Sequence, residues 1–396
     1  MDPCGLDPLA PHGSGMMLDG VVGAARSAAA TRCYREHMKP ANERETAVRN
    51  RIAGLLVGTA VGDALGLPRE GLSARRAARI FGPAPLRHAF ALGRGMCSDD
   101  TEHTCMTAQA WLASDGDPRR LARSLAWRLR GWLLALPAGV GLATARSIAK
   151  LWLGFPPSRS GVNSAGNGPA MRSPILGACA RDDAHVVALV RASTRLTHTD
   201  PRAEEGALVI ARAARAAVKH GTDLVPDHLV SDLLSTVAGP ELRDLLKLAQ
   251  TCLAEGAAAT EFAGRAHMKH GVSGYINQTV PVALFCWLRA PSDFRAALES
   301  AICLGGDPDT IEAITGALAG ATVGRQGIPP EWVRGLIEYP RSVSWLERLA
   351  GAVADAITTE RRGRPQRLAW PALIPRNVAF LAIVLLHGFR RLLPPY

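Results

Sequence analysis

The sequence predicts an all-α protein. Apolar residues recur at helical spacing, no alternating β-branched run is long enough for a convincing sheet, and Pro and Gly separate many of the segments. Thirty-nine glycines lie among abundant alanines, with only 5% aromatics, which suits helices packed closely together. Two acidic clusters, Ser98-Asp99-Asp100-Thr101 and Asp307-Pro308-Asp309-Thr310, each stand where a helix begins.

Residues 1–45 are rich in Gly, Pro, Ala and Arg without sustained periodicity, and are expected to form a flexible extension. One domain is expected over 46–360, followed over 361–396 by a linker and an apolar helix packed on that domain. The first helix is predicted over Ala47 to Leu65, with Ile52, Leu55, Leu56 and Thr59 on one side. Gly54, Gly58 and Gly62 recur every fourth residue and leave a face bare enough for a neighbouring helix. Gly66 lies just past the last turn and Pro68 stops the helix. Further helices are predicted over 99–115, 117–135, 140–152, 184–194, 202–219, 227–236, 240–254, 258–268, 278–289, 292–304, 330–338 and 344–357. In the second acidic cluster Asp307 fits an N-cap and Pro308 the first helical position, where a missing N–H is harmless. The helix that follows repeats the small-residue stripe at Gly316, Gly320 and Gly324. Near the C-terminus Val378 to Leu386 is strongly apolar but short of the roughly 20 residues a membrane span needs, so a buried terminal helix ending at Arg390-Arg391 is expected.

A chain of 396 residues with 47% hydrophobic and 20% charged residues can bury a large core, which excludes general disorder. The formal charge of +11 raises nucleic acid or a membrane as partner. The excess is almost all Arg, with very few Lys, spread along the chain without a DNA- or RNA-binding motif. Nucleic acid is therefore not expected as the main partner, although a basic field attracts a polyanionic small substrate. The eight cysteines form no CxxC pair and read as buried thiols in a reducing compartment, and Met1-Asp2-Pro3-Cys4 opens no secretory signal. A cytoplasmic monomer without a membrane span is expected.

The acidic clusters carry the chemistry. Each offers two carboxylates beside a hydroxyl, the oxygen donors that hard divalent cations such as Mg²⁺ prefer. A first-turn Asp also caps a helix and suits its dipole. Two matching clusters about 200 residues apart, each introduced by glycine (Gly95; Gly305-Gly306), point instead to two halves of one binuclear site. Four converging carboxylates repel one another unless cations lie between them.

Other motifs leave alternatives open. Glu70 follows the first helix and is either an ordinary surface Glu or one that reaches a metal-bound water. The loop Asn163-Ser164-Ala165-Gly166-Asn167-Gly168 exposes backbone N–H groups that can hold phosphate, or simply turns the chain. His198, beside the Asp200-Pro201 helix start, is a structural His or a pyrophosphate donor. Gly274 and Tyr275 line a ligand cleft or cap a core helix.

In their order, GDALG-x-P-x-E, SDDT, GNGPAMR, TH-x-DP and GGD-x-DT resemble the ADP-ribosylglycohydrolase family from about Arg51 to Gly324. The resemblance implies an all-α orthogonal helical bundle around a two-Mg²⁺ site, with Mn²⁺ as an alternative. It implies hydrolysis of the bond between ADP-ribose and a modified protein side chain; arginine is expected as the acceptor, although the resemblance does not carry acceptor specificity over. Ser98, Asp99 and Asp100 match the first ligand group, and Asp307, Asp309 and Thr310 the second. Glu70 matches an acidic residue on a mobile loop; it or Asp100 is the expected base. Ser164, Gly166 and Asn167 match the ADP-ribose loop, and His198 a phosphate-side contact. Ser98 replaces the usual Thr, and Ala165 replaces an aromatic that stacks on substrate in some members. The same scaffold also serves catalytically silent crystallins, so a silent ADP-ribose-binding or structural protein is the alternative.

Overall fold

The computed structural model describes residues 41–82, 84–268, 271–359 and 363–394. The expected N-terminal extension falls almost wholly outside the described residues. From Ala47 onward the described residues form one compact unit.

The helices are α1 (Ala41–Gly66), α2 (Ala74–Phe81), α3 (Asp99–Ser114), α4 (Pro118–Leu134), α5 (Leu142–Trp152), α6 (Gly168–Met171), α7 (Ser173–Cys179), α8 (Asp183–Thr194) and α9 (Pro201–His220). They continue with α10 (Pro226–Thr236), α11 (Pro240–Ala254), α12 (Ala259–Arg265), α13 (Ile276–Arg289), α14 (Phe294–Ile302), α15 (Pro308–Val323), α16 (Pro330–Gly335), α17 (Val343–Thr358) and α18 (Leu373–Arg390). Among the described residues β pairing is confined to isolated bridges, including Gly166 with Tyr275, Val162 with His198 and Val272 with Gly306. The fold is all-α, as the sequence predicts.

The two glycine stripes lie against each other, and their contact positions the site. A Cβ placed on Gly54, Gly58 or Gly62 would come within 2.0–2.2 Å of the carbonyl oxygens of Gly320, Gly316 and Glu312. At the end of α1, a Cβ on Gly66 would meet the Pro308 carbonyl at 2.5 Å. The helices are therefore antiparallel and packed backbone to backbone, so no side chain fits along this seam. Since the end of α1 meets the start of α15, Asp63 and the second acidic cluster arrive at one place.

Three local readings differ from the sequence. Helix α2 was not expected, because its eight-residue ARRAARIF segment is too short to repeat a helical pattern; Ser73 starts it by accepting from Arg76 N. Asp307 occupies the N-cap position of α15 but makes no side-chain cap; Asn167 has taken its carboxylate instead. Helix α18 is longer than the apolar core read from the sequence and is not buried: Trp370–Arg390 has a mean hydropathy of 1.7, with only 22% of its apolar window covered. The other long apolar helix, Asn42–Arg69, is 94% buried and is a core element.

Candidate active site

Asp63 anchors the first cluster. Its carboxylate accepts from Ser98 N at 2.9 Å, from Thr101 N at 3.1 Å and from the Thr101 hydroxyl. The start of α3 is thereby pinned to the end of α1. Ser98 caps α3, with its Oγ accepting from Asp100 N at 3.2 Å and donating to Asp100 Oδ2 at 3.1 Å.

The second cluster joins the first through Thr310, whose hydroxyl donates to Asp100 Oδ2 at 3.2 Å across 210 residues of sequence. The loop before α15 is held on both sides. Gly71 N donates to Gly306 O, Gly306 N to Leu72 O, and Asp307 N to Val272 O at 2.8 Å. Gly306 has φ +96°, and a Cβ there would stand 2.2 Å from Val272 O. Only glycine fits that turn.

The glycine-rich loop closes the third side. Asn167 Nδ2 donates to Asp307 Oδ2 at 2.7 Å and to Thr279 Oγ1 at 3.1 Å. Backbone bonds from Asn167 N to Gly274 O and from Ile276 N to Ala165 O zip this loop to the start of α13. A Cβ on Gly274 would lie 3.1 Å from Asp307 Oδ2, so Gly274 leaves the second cluster open beside it. Ser164 Oγ accepts from Gly166 N and rigidifies the loop.

His198 lies beneath that loop. A Cβ on Gly166 would meet its Nε2 at 3.2 Å, and one on Gly168 its Cε1 at 3.2 Å. Burial, then the charge of Arg172, push the imidazole down to about 3, so it is neutral throughout the physiological range. Its Nδ1 pairs with Thr197 Oγ1 at 2.8 Å, and that hydroxyl also accepts from Arg172 Nη2 at 2.7 Å. Arg172 is wholly buried and also bonds Gly168 O and Ser193.

Tyr275 is engaged elsewhere. Its hydroxyl donates to Glu241 at 2.5 Å and accepts from Arg202 at 3.3 Å. Its backbone supports the glycine loop, while its phenol belongs to a rim network.

The electrostatics are severe. Asp100 and Asp309 are 1% and 5% exposed, and Asp100 Oδ1 and Asp309 Oδ1 are buried without a hydrogen-bond partner. Burial, then Asp99, Asp63 and Asp307, raise the Asp100 carboxyl well above the usual range. Burial, then Glu70, Asp307 and Asp100, do the same to Asp309. Asp99, half-buried, is raised by burial, then by Asp63, Glu102 and Glu70. Glu70 sits at the exposed edge and is raised by partial desolvation and by Asp307, while Arg391 opposes the shift.

Among the described residues no three His, Cys, Asp or Glu side chains are gathered tightly enough to enclose a metal ion. The donor chemistry nonetheless fits a hard cation. It is all oxygen, it includes the Ser98 and Thr310 hydroxyls, and it leaves buried carboxylate oxygens unsatisfied. Asp63, Arg172 and Thr279 are structural supports that the sequence reading left out of the site. Asp63 was visible as a carboxylate at the end of the glycine-striped helix.

The chain is similar to known proteins over most of its length. The family model for ADP-ribosylglycohydrolase matches residues 44–363. The chain is 28% identical over 316 residues to the ADP-ribosyl-[dinitrogen reductase] glycohydrolase of Rhodospirillum rubrum, covering 77% of this chain and 98% of that one. It is 28% identical over 327 residues to the ADP-ribosylhydrolase ARH3 of Bos taurus, covering 72% of this chain and 87% of that one. A solved structure described as an ADP-ribosylglycohydrolase-related protein complex superposes with a TM-score of 0.57 at 26% identity, over 78% of this chain and 98% of that one. An all-α fold whose two acidic clusters and glycine loop converge through Thr310 and Asn167, matched over most of its length, identifies this chain as a member of the ADP-ribosylglycohydrolase family.

Proposed function

We propose that this protein is a Mg²⁺-dependent hydrolase that releases ADP-ribose from a modified protein side chain, with arginine as the acceptor. Glycosidic hydrolysis of an ADP-ribosyl bond follows from family membership; the metal and the acceptor are our reading. The observation that carries it is the joining of both acidic clusters to the glycine loop, through Thr310 with Asp100 and Asn167 with Asp307.

Ser98, Asp99, Asp100, Asp307, Asp309 and Thr310 are the residues that would hold two Mg²⁺ ions, or Mn²⁺ in their place. Bound there, such ions supply charge neutralisation and polarise ribose hydroxyls and water.

The loop Ser164–Gly168 lacks side-chain bulk, which leaves room for a diphosphate beside it, while the N–H groups of Gly166 and Asn167 are spent within the structure on Ser164 Oγ and Gly274 O. Arg172 donates to Thr197 Oγ1, leaving that hydroxyl free to donate to His198 Nδ1. His198 Nε2 then carries its proton toward the loop, as a neutral donor to phosphate. Glu70 is the better candidate for the proton-accepting role. It is exposed, it stands outside the metal donor set, and partial desolvation and Asp307 raise its carboxyl above the ordinary value, the direction a general base needs. Asp100, buried and already bonded to two hydroxyls, serves as a ligand. The open acidic edge formed by Glu70 and half-exposed Asp99 favours a cationic guanidinium as leaving group, which supports arginine. The reducing-compartment cysteines support a cytoplasmic site of action.

The test is turnover of ADP-ribosyl-arginine with product identification. Free ADP-ribose is expected; AMP would mean a phosphoester hydrolase, and binding without turnover a silent scaffold. Glu70→Gln should lower kcat by about 10²–10⁴-fold. Unchanged turnover in that variant would remove Glu70 from the mechanism and return the role to Asp100.

A further inference from the structure

The Arg residues are spread along the chain, but the carboxylates that balance them are not. Residues 118–181 contain ten Arg and Lys and no Asp or Glu. Residues 361–396 contain seven Arg and again no Asp or Glu. Together these two segments exceed the formal charge of +11 of the whole chain, so the remainder is net acidic.

The fold sets the two segments side by side. A Cβ on Gly131 of α4 would lie 3.0 Å from the Trp370 ring. Asn377 Nδ2 of α18 donates to Ala135 O at 2.7 Å. Phe380 packs in a small cluster that Ala138 flanks. The C-terminal end of α4 and α18 thus share one face, and exposed Arg364, Arg367 and Arg390 flank α18 along the chain, whereas Arg172 of the first segment is buried and Arg376 of the second is paired with Glu338.

That region is also apolar. Helix α18 rests on the body through buried Leu373, Asn377 and Phe380, and through Arg376, which donates to Glu338 at 2.6 Å. Its other side presents Ile374, Val378, Leu381, Leu385 and Phe389, each 45–66% exposed. Their spacing of three and four residues places them on one stripe. Across the boundary Trp127 and Trp152 are exposed, and the Arg130 guanidinium lies 4.6 Å and 5.9 Å from their ring centroids. The family match ends at residue 363, so α18 lies outside it.

An exposed apolar stripe of this length marks a surface that is covered in use. Nucleic acid would answer the charge but leave the stripe wet. A second copy would cover the stripe but set positive charge against positive charge. We propose that this face docks onto an anionic lipid bilayer, with α18 lying in the interface and exposed Arg364, Arg367 and Arg390 meeting the headgroups. The helix does not cross the membrane in this arrangement, because Arg376 and Asn377 commit its inner side to the body. Exposed tryptophans beside basic side chains suit the headgroup level.

The experiment is cosedimentation of the full chain with vesicles of phosphatidylcholine alone or mixed with phosphatidylglycerol. Binding is expected to the anionic vesicles and to fall by about tenfold or more on neutral ones or in high salt. The double substitution Leu385→Asp and Phe389→Asp should lower anionic-vesicle binding by a similar factor of about ten, with thermal midpoint and hydrolysis of a soluble substrate unchanged. Failure of the wild-type chain to bind anionic vesicles would overturn the proposal, as would equal binding by the folded double variant. Self-association that the same substitutions abolish, without vesicle binding, would reassign the face to a dimer interface and also overturn it.

Discussion

The first turn of α3 sends carboxylates into two different environments. On one side Glu102 accepts from Arg341 and from the Trp132 indole, all buried. Glu338, close by, accepts from Cys97 N at 2.9 Å and from Arg376. On the other side Asp100 and Asp309 face Asp99, Asp307 and Glu70, and keep buried oxygens without partners. Both groups occupy the same protein interior, yet only the first is hydrogen-bonded by arginines; Arg391 acts on Glu70 and Asp309 through its charge alone. Where a carboxylate serves the fold, the chain supplies its counter-charge. Where it serves the site, buried oxygens are left without hydrogen-bond partners, and the proposed metal would supply the missing counter-charge.

The contrast breaks most sharply under substitution. Asp309→Ala should abolish hydrolysis and leave a folded protein, because removing one of several mutually repelling carboxylates relieves the metal-free state. A variant that keeps most of its turnover, or that unfolds, would contradict this. Arg341→Met should do the opposite and cost about 3–5 kcal/mol of stability by stranding the buried Glu102. A denaturation midpoint within error of the parent would show that Trp132 and Arg376 hold Glu102 without Arg341.

A smaller effect sharpens the account of the loop. His198 is held at about 3, mainly by burial and then by Arg172, against an unfolded value of roughly 6.5. The folded state therefore binds fewer protons, so stability is lost as pH falls below about 6.5 toward 3, by at most about 1.4 kcal/mol per pH unit from this residue. His198→Asn should flatten the fall in stability between pH 6 and pH 4. His103, also depressed by burial, retains part of it. Identical slopes in both proteins would mean that His198 is not buried as described.

Much of this was legible in the sequence because backbone chemistry leaves residue-type signatures. The stripes Gly54-Gly58-Gly62 and Gly316-Gly320-Gly324 announced close helix packing, and Ser98 before Asp99-Asp100 announced a helix start. The stripes did not say that they pack against each other, which is a tertiary fact. Asp307 could be read as a cap from its position, but only the folded chain brings Asn167 to it. Arg172 looked like one letter of a motif and is a fully buried hub. Helix α18 was misjudged for a different reason. Apolar content predicts burial only when something is present to cover it, and among the described residues one side of this helix stays exposed.

The central claim is that the unneutralised carboxylates exist to bind divalent metal for glycosidic hydrolysis. The most direct measurement follows ADP-ribose release from ADP-ribosyl-arginine by metal-stripped protein while Mg²⁺ is titrated in. The account predicts no turnover in chelator, recovery with Mg²⁺, and a thermal midpoint that rises over the same range. Full turnover in chelator, with a midpoint indifferent to Mg²⁺, would contradict it.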